Sequence, residues 1–422
     1  MDKNQFQNEP VQTNTHRPVR ISLGVLIICI LLTGILVFTA TFILYSSYCQ
    51  KQVEAAYGRF SEFDKLTELA ELYDKYYFYD VDKELLDEAL TQAYIYGCGD
   101  QFSHYYTAEE WAKQQADATG TSVGVGIYVT MSDSGEIYIV KVMSNSPADI
   151  AGLQEHDVIV AVDGKKVKEI GYTNATNMVG GEIGTEITFD ILRAGEIISV
   201  TLERNYYDAQ TVFYEMFQGN GKPLGYVKIT EFLSIQTTGA QFKSAVNELM
   251  KNGAEGLVFD LRDNGGGDLS TILSILDYLL PEGPLVHIYQ TGTEKPTTYY
   301  SGANEIDLPM TVLTNGNTAS AAELFTSALR DYNKAQIVGT KTYGKGCGQS
   351  GQFLADGSVV FITNFLYSPP YSENYDGIGI YPDYETMLDE KWKNKNIFLV
   401  PHAEDAQLQK ALSVLAELAL EN

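Results

Sequence analysis

Cysteine and cationic side chains are both scarce in this chain of 422 residues. Its four cysteines are scattered and form neither a disulfide framework nor the paired spacing of a zinc site, and Cys98 and Cys347 could pair only if folding brings them together. Twenty-nine lysine and arginine residues stand against 55 acidic ones, which gives a formal net charge of -26. A surface of that sign repels phosphate backbones, so nucleic acid is excluded as a partner.

Two familiar signatures of serine enzymes are also missing. The chain does not contain Ser-x-x-Lys, the penicillin-binding spacing. None of the five histidines lies in a context that resembles a catalytic triad. Because a serine hydroxyl needs a neighbouring base, a serine enzyme of this sequence would have to use a lysine whose amine is neutral.

Charge is absent from one long apolar run. It extends from Ile21 to about Tyr48, which exceeds the ~20 residues that a spanning helix needs and the apolar region of a cleaved signal peptide. We therefore predict a polar tail at residues 1–20 and a transmembrane helix at 21–48. This helix would attach the protein to the cell membrane in a single pass.

Periodicity divides the rest of the chain into four regions. Apolar residues at helical spacing predict a helical region at 50–118, and a strand-type period predicts a β-rich module at 119–207. Strands and helices then alternate over 208–398, which is typical of a mixed sheet covered by helices. An amphipathic helix is predicted at 399–422. The expected fold class is an α/β core with a separate β-rich domain.

A short polar loop, Asn315-Gly-Asn-Thr-Ala-Ser320, precedes a helical pattern, so we expect Ser320 to open that helix. A helix start leaves backbone N–H groups free and carries partial positive charge, which suits a developing oxyanion. By itself such a serine is more often a helix cap than a nucleophile. Lys345 follows 25 residues later in Thr342-Tyr-Gly-Lys345 and is a candidate base.

These segments resemble motifs of the C-terminal processing peptidases, also called tail-specific proteases. Thr318-Ala-Ser320-Ala-Ala-Glu is similar to the family's Ser-Ala-Ser-Ala-Ser-Glu run, whose middle serine is the nucleophile. Tyr343-Gly-Lys345-Gly is similar to its Phe-Gly-Lys-Gly segment, which implies that Lys345 is the general base. The family's glutamine four residues further on orients the amine, which implies that role for Gln349.

A glycine-rich turn carries the same resemblance. Asp260-Leu-Arg-Asp-Asn-Gly-Gly266-Gly looks like the family's Asp-Leu-Arg-x-Asn-x-Gly-Gly turn, whose first paired glycine donates a backbone N–H to the oxyanion. The resemblance implies that Gly266 and Ala321 are the two donors. Glycine suits such a position because no Cβ blocks the approach of the substrate.

The β-rich module resembles a PDZ domain. Ser144-Asn-Ser-Pro147-Ala and Asp157-Val-Ile-Val-Ala-Val-Asp163-Gly appear in the order expected of such domains. Gly124, Val125, Gly126 and Ile127 stand where these domains bind a terminal carboxylate. Successive N–H groups there form an anion-binding nest, and an adjacent strand edge accepts the peptide.

The resemblance covers nearly everything after the membrane span and implies a membrane-anchored serine endopeptidase. Its substrates would be proteins with unstructured, apolar C-termini, and it would need no metal or organic cofactor. A homodimer through the terminal helices is a further option. The alternatives are a non-catalytic, membrane-tethered PDZ scaffold and a Ser-Lys enzyme of the acyl-transferase or penicillin-binding type. The lack of Ser-x-x-Lys counts against the last.

The charges that flank the apolar run predict the topology of the protein. Arg17 and Arg20 precede the run, and Glu54 and Glu62 follow it, so the positive-inside rule places the N-terminus in the cytoplasm and the catalytic region outside. Protease added to intact cells should therefore digest a tag at Asn422 and spare one at Met1. Digestion of the Met1 tag alone would show the opposite orientation.

Overall fold

The computed structural model describes residues 22–60, 63–118, 121–393 and 395–421. The predicted tail at 1–20 lies outside this part of the chain, as do the first two residues of the predicted PDZ region. The chain divides into two compact units, the first ending at Leu86 and the second beginning at Asp87.

The first unit is helical, as its apolar spacing predicts. Its elements are α1 (Leu23–Phe60), α2 (Asp64–Tyr76) and the start of α3 (Lys83–Gly97). Within α1, the 27 residues Leu23–Cys49 have a mean hydropathy of 2.8 and are long and apolar enough to cross a membrane. The apolar side chains Leu69 of α2 and Leu90 of α3 are exposed.

A short strand precedes the PDZ region, within residues 50–118 for which the apolar spacing predicts only helices. The elements here are β1 (His104–Tyr106), α4 (Ala108–Ala118) and β2 (Thr121–Gly124). β1 pairs with residues 359–361, more than 250 positions further along the chain. Periodicity misses it because a strand of three residues is too short to show a pattern.

The predicted β-rich module forms one sheet around its own core. Its elements are β3 (Ile127–Met131), β4 (Ile137–Val142), α5 (Pro147–Ile150), β5 (Val158–Val162), β6 (Lys165–Lys166), α6 (Val167–Ile170), α7 (Tyr172–Val179), β7 (Glu186–Arg193), β8 (Glu196–Glu203) and β9 (Asn205–Asp208). The strand order is β3-β4-β5-β7-β8, with β6 beside β5, while β9 pairs with β2. Ile139, Ile159 and Phe189 are fully buried in this module.

The peptidase-like core contains the remaining elements. They are β10 (Val212–Gly219), β11 (Lys222–Ile229), α8 (Ala240–Lys251), β12 (Leu257–Asp260), α9 (Leu269–Leu279), β13 (Gly283–Gln290), β14 (Thr297–Ser301), β15 (Met310–Thr314), α10 (Ala321–Asp331), β16 (Ala335–Gly339), β17 (Cys347–Phe353), β18 (Val359–Ser368), β19 (Tyr384–Glu385) and α11 (Ala406–Glu421).

The main sheet of the core has the strand order β10-β11-β12-β15-β16-β19. β10 and β11 form an antiparallel hairpin, and the other pairs are parallel. Helices cover both faces, which explains why β12 and β15 are buried along their whole length. The carboxyl ends of β12 and β15 meet at one edge, and the predicted site residues follow these two strands.

The C-terminal helix completes the core. Leu408 and Leu415 of α11 are fully buried against Leu313 and Val338 of the main sheet. The apolar face of α11 that carries these leucines is therefore occupied within the chain.

A second, smaller sheet lies beside the main one. Its order is β1-β18-β13-β14, and β17 also pairs with β18. Because β1 precedes the PDZ module and β18 follows it, the module is inserted between parts of the core that lie side by side. The predicted regions 50–118 and 208–398 thus share one sheet.

Candidate functional site

Ser320 lies directly before α10, as its loop predicts. Its backbone has φ 57° and ψ −121°, a conformation that a non-glycine residue adopts only at a cost. The side chain is half-buried. Ala321 is the first residue of the helix, so its N–H has no intrahelical partner and lies at the positive end of the helix.

The glycine turn after β12 brings Gly266 against Ser320. A Cβ on Gly266 would come within 2.7 Å of the Ser320 Cβ and 3.0 Å of the Ala321 nitrogen, and Gly266 has φ 106°. Only glycine fits this close approach. The structure therefore brings Gly266 against Ser320 and Ala321, which follow it by 54 and 55 positions in the sequence.

The resemblance implies that the Gly266 N–H is free to donate to an oxyanion, but in the structure this N–H has a partner. It donates to the side-chain oxygen of Asn264 at 2.8 Å. Asn264 is fully buried, donates to the Ile229 carbonyl and accepts from the Ala319 N–H, so its position is fixed on both sides. In this arrangement the Gly266 N–H already has a hydrogen-bond acceptor within its own turn.

Lys345 lies on the loop between β16 and β17. Its N–H donates to the Glu323 carboxylate at 2.8 Å, and its carbonyl accepts from the Tyr367 hydroxyl at 2.7 Å. The amine lies 4.5 Å from the centre of the Phe102 ring. Both Lys345 and Ser320 are described residues, and no hydrogen bond joins their side chains in this arrangement.

Gln349 lies on β17, and its side chain contacts groups other than the Lys345 amine. Its amide nitrogen donates to the Thr363 hydroxyl at 2.9 Å and approaches the Cys347 sulfur at 3.8 Å. The role of orienting the Lys345 amine therefore stays a prediction. Among the described cysteines, Cys98 and Cys347 are both free thiols rather than a pair.

Burial explains why Cys347 is not a rival nucleophile. Its surroundings raise the pKa of the thiol to about 11, so it stays protonated at neutral pH. A thiol is a poor nucleophile compared with its thiolate. Ser320 is thus the better candidate at this site.

Glu323 is a residue of the candidate site to which the sequence motifs assign no role. Its carboxylate is fully buried and accepts hydrogen bonds from the N–H groups of Ser320, Gly344 and Lys345 and from the Thr342 hydroxyl. Burial raises its pKa, and these four bonds oppose that effect by favouring the charged form. One side chain therefore joins the segment of Ser320 to the segment of Lys345. Its place three residues after Ser320, as in a capping box, is the signal that could have found it.

The predicted carboxylate-binding loop is the connection between β2 and β3. Gly126 has φ 77°, and a Cβ there would meet the Ser146 Cβ at 2.2 Å, so glycine is required. The carbonyls of Val125 and Gly126 accept from Ala148 and Met143 and so point into the module. The four loop residues lie together, as the sequence predicts.

A cavity of about 620 Å³ lies between this loop and the glycine turn. Val123, Ile127 and Met143 line it on the side of the PDZ module. Phe232 and Gly267 line it on the side of the core, and Gly267 is the neighbour of Gly266.

A second link between module and core is formed by Phe398, which comes after the last long strand. Its ring packs against Tyr128 of β3 at 5.4 Å and Phe213 of β10 at 5.2 Å between ring centres. The Lys228 amine lies 5.6 Å from the same ring. Tyr128 directly follows the carboxylate-binding loop, so this contact ties the loop to the core.

Lys228 belongs to a buried cluster of charges at the base of the glycine turn. Arg262 bonds Asp260 at 2.6 Å and Asp405 at 2.8 Å, and the Lys228 amine donates to the Arg262 carbonyl at 2.7 Å. Two cations offset two anions, and the neighbouring cations hold the pKa of Asp260 far below its usual range despite the burial that opposes this. The cluster fixes the start of the turn that carries Gly266.

An α/β core with Ser320 at a helix start, joined to a small β-rich module, is the architecture of a serine peptidase with a PDZ domain. Sequence comparisons agree with this class. The profile of Peptidase family S41 matches residues 223–386, and that of the PDZ domain matches 123–203.

Several curated proteins are similar to this chain. A CtpA-like serine protease of Staphylococcus saprophyticus is 31% identical over 325 residues, which cover 76% of this chain and 65% of the relative. A carboxyl-terminal-processing protease of Synechocystis is 32% identical over 287 residues, which cover 67% and 66%. An S41 protease structure from Bacteroides fragilis has a TM-score of 0.57 at 20% identity, covers 78% of this chain and 90% of that one, and shows likeness of fold alone. This chain belongs to the C-terminal processing peptidase family.

Replacing Glu323 by glutamine tests whether activity depends on the hydrogen bonds that its carboxylate accepts from Ser320 and Lys345. Glutamine has one acceptor oxygen in place of two, so its NH₂ group would face two of the four donors. We expect the peptidase rate to fall on the order of 100-fold through kcat, because small misplacements of reacting groups have such effects. Unsatisfied buried donors should also lower the free energy of unfolding by about 1–3 kcal/mol.

The measurements are steady-state cleavage of a labelled peptide and urea denaturation of the full chain in detergent. Glu248→Gln on the outer face of α8 makes the same chemical change away from the site and should alter neither. An unchanged kcat in Glu323→Gln would remove the bridge from the catalytic machinery.

Proposed function

We propose that this protein is a membrane-anchored serine endopeptidase that cleaves proteins recognised by their apolar C-terminal tails. One observation carries the proposal: Ser320 stands at a helix start against Gly266, while its backbone shares the Glu323 carboxylate with that of Lys345. The apolar helix Leu23–Cys49 supports the anchoring, and the flanking charges support a catalytic region outside the cytoplasm.

The proposed reaction proceeds through an acyl-enzyme. The neutral Lys345 amine takes the proton from the Ser320 hydroxyl, and the oxygen attacks the scissile carbonyl. The N–H groups of Ala321 and Gly266 stabilise the oxyanion, which requires the Gly266 N–H to turn from Asn264 to the substrate. The ammonium of Lys345 then protonates the leaving amine as the C–N bond breaks. Water, deprotonated by the same amine, hydrolyses the ester and restores the serine.

Tail recognition is assigned to Gly124, Val125, Gly126 and Ile127. Successive N–H groups in such a loop can bind a terminal carboxylate, and the apolar side chains of Ile127 and Met143 line the adjoining cavity. The cavity supports a route from this loop to the glycine turn. Protein or peptide substrates with unstructured, apolar C-termini fit this arrangement.

A tethered scaffold that binds tails without cutting them is the candidate from another class. Its binding loop would be the same, but it would have no use for a strained serine, a tight glycine contact and a buried carboxylate that joins two loops. A homodimer draws support only from the exposed apolar side chains of α2 and α3, since α11 is covered within the core.

Substitution of the proposed dyad tests the chemistry. Ser320→Ala and Lys345→Ala should each reduce cleavage of an unfolded, apolar-tailed protein by at least about 1000-fold, because nucleophile and base act as one unit. For the same reason the double variant should be no slower than either single variant. Mass spectrometry of the products measures the rate, and Lys341→Ala on the same loop serves as the control.

A double variant much slower than both single variants would contradict a shared dyad. Retained tail binding without any cleavage by the natural sequence would favour the scaffold.

A tail peptide added in trans tests whether binding at the loop is coupled to catalysis. An apolar peptide with a free carboxylate should stimulate cleavage of a short peptide, because a bound tail shifts the equilibrium toward the arrangement for which it has the higher affinity. The same peptide with an amidated C-terminus should have no effect. Gly126→Ala should abolish the stimulation, since its Cβ would displace Ser146.

Gly135→Ala is the matched control, because Gly135 also has a positive φ but open space around it. The free-carboxylate peptide should stimulate short-peptide cleavage by the Gly135→Ala variant as much as it stimulates cleavage by the natural sequence. Equal rates with and without the free-carboxylate peptide would leave the PDZ module as a passive tether.

A further inference from the structure

The catalytic lysine is covered by a residue that precedes the PDZ module. The Lys345 amine lies 4.5 Å from the centre of the Phe102 ring, and the same ring meets Tyr343 edge-on at 6.4 Å. Phe102 therefore contacts both side chains of the Tyr-Gly-Lys-Gly segment. It lies 243 positions before Lys345 in the chain, and no motif of the sequence points to it.

Phe102 is held in this place by its neighbours. Its N–H donates to the Asp100 carboxylate at 3.0 Å, and the Ser103 hydroxyl accepts from the Thr363 N–H of β18 at 3.1 Å. The strand β1 then continues the pairing with β18. The segment that carries the Phe102 ring is therefore bonded to Thr363 of β18, whose hydroxyl also accepts a hydrogen bond from the Gln349 amide.

The ring is also the cation partner of Lys345. Across the described ranges, no Asp or Glu side chain lies within ion-pair distance of its amine. An aromatic face attracts an ammonium ion but not a neutral amine. Leucine at position 102 would fill similar space without this attraction, so packing and electrostatics can be separated by substitution.

We propose that Phe102 is a positioning residue for the proposed base, holding the Lys345 side chain as an ammonium ion away from Ser320. The inference rests on the proposed Ser-Lys chemistry. Only a neutral amine can take the serine proton, so the amine must lose its proton and leave the ring before Ser320 is activated. The ring contact therefore opposes the activation of Ser320.

Other titratable groups surround Lys345 and stay the same in the variants below. They are Asp100, Glu323, Tyr343, Cys347, Tyr367 and Asp376. Any carboxylate among them also favours the ammonium ion. A difference in the pH–rate profile between variants at Phe102 therefore reports the effect of the ring on the Lys345 amine.

The test compares pH–rate profiles of the full chain in detergent, with a labelled unfolded protein that has an apolar tail as substrate. In Phe102→Leu, the rise of kcat with pH should move to lower pH by about 0.4 to 1.5 units, since cation–π contacts are of that strength. Below the midpoint this corresponds to a kcat about 3- to 30-fold higher. Phe102→Trp should keep the profile of the natural sequence or move it to higher pH.

Phe353→Leu is the matched control, because Phe353 is an exposed aromatic residue on β17 away from the lysine. Its profile should equal that of the natural sequence. A Phe102→Leu variant that is folded by circular dichroism and has an unmoved profile, or a lower kcat at every pH, would overturn the proposal.

A second measurement separates this inference from the proposed function. Lysine amines carrying ¹³C-methyl groups are titrated by NMR in Ser320→Ala, and the Lys345 signal is assigned by its loss in Lys345→Arg. Its titration midpoint should move to lower pH when Phe102→Leu is added. If the natural chain cleaves nothing, the peptidase proposal fails, while an unmoved NMR midpoint overturns the role of Phe102 whether or not cleavage occurs.

Discussion

The Glu323 carboxylate holds the loops of Ser320 and Lys345 in one place, and the geometry of the candidate site depends on it. It accepts from the N–H groups of Ser320 and Lys345 with one oxygen and from Thr342 and Gly344 with the other. A buried carboxylate is costly unless its lone pairs are used, and here four donors use them. The same four bonds require the loops after β15 and β16 to lie side by side.

A second buried group of charges has the corresponding effect on the glycine turn. Arg262 connects Asp260, at the end of β12, with Asp405, which caps α11. The helix that covers the main sheet is thereby joined to the turn beside Ser320. Lys228 extends the connection to Phe398 and, through that ring, to Tyr128 of the PDZ module. The loop at residues 124–127 and the glycine turn are thus connected through packed side chains.

Much of the fold follows from local pattern. The apolar run over α1, the strand period of the PDZ module and the alternation of strands and helices around β12 and β15 are long enough to be recognised. The strand β1 is too short for that, and its pairing with β18 joins the chain before the PDZ module to the core after it. Periodicity also cannot show that the apolar face of α11 is used inside the core, since an amphipathic helix has the same pattern whether its partner is its own sheet or another chain.

The order of residues alone identifies the groups available for chemistry: a serine at a helix start, a lysine 25 positions later, a glycine turn and a glycine loop in a PDZ-like order. These are local features, because helix starts and turns depend on residues a few positions apart. The folded chain alone shows that Gly266 touches Ser320, that Glu323 joins the loops of Ser320 and Lys345, and that Phe102 covers Lys345. Each of those contacts joins groups whose proximity is set by the packing of the sheets and helices around them, so no spacing along the chain can reveal it.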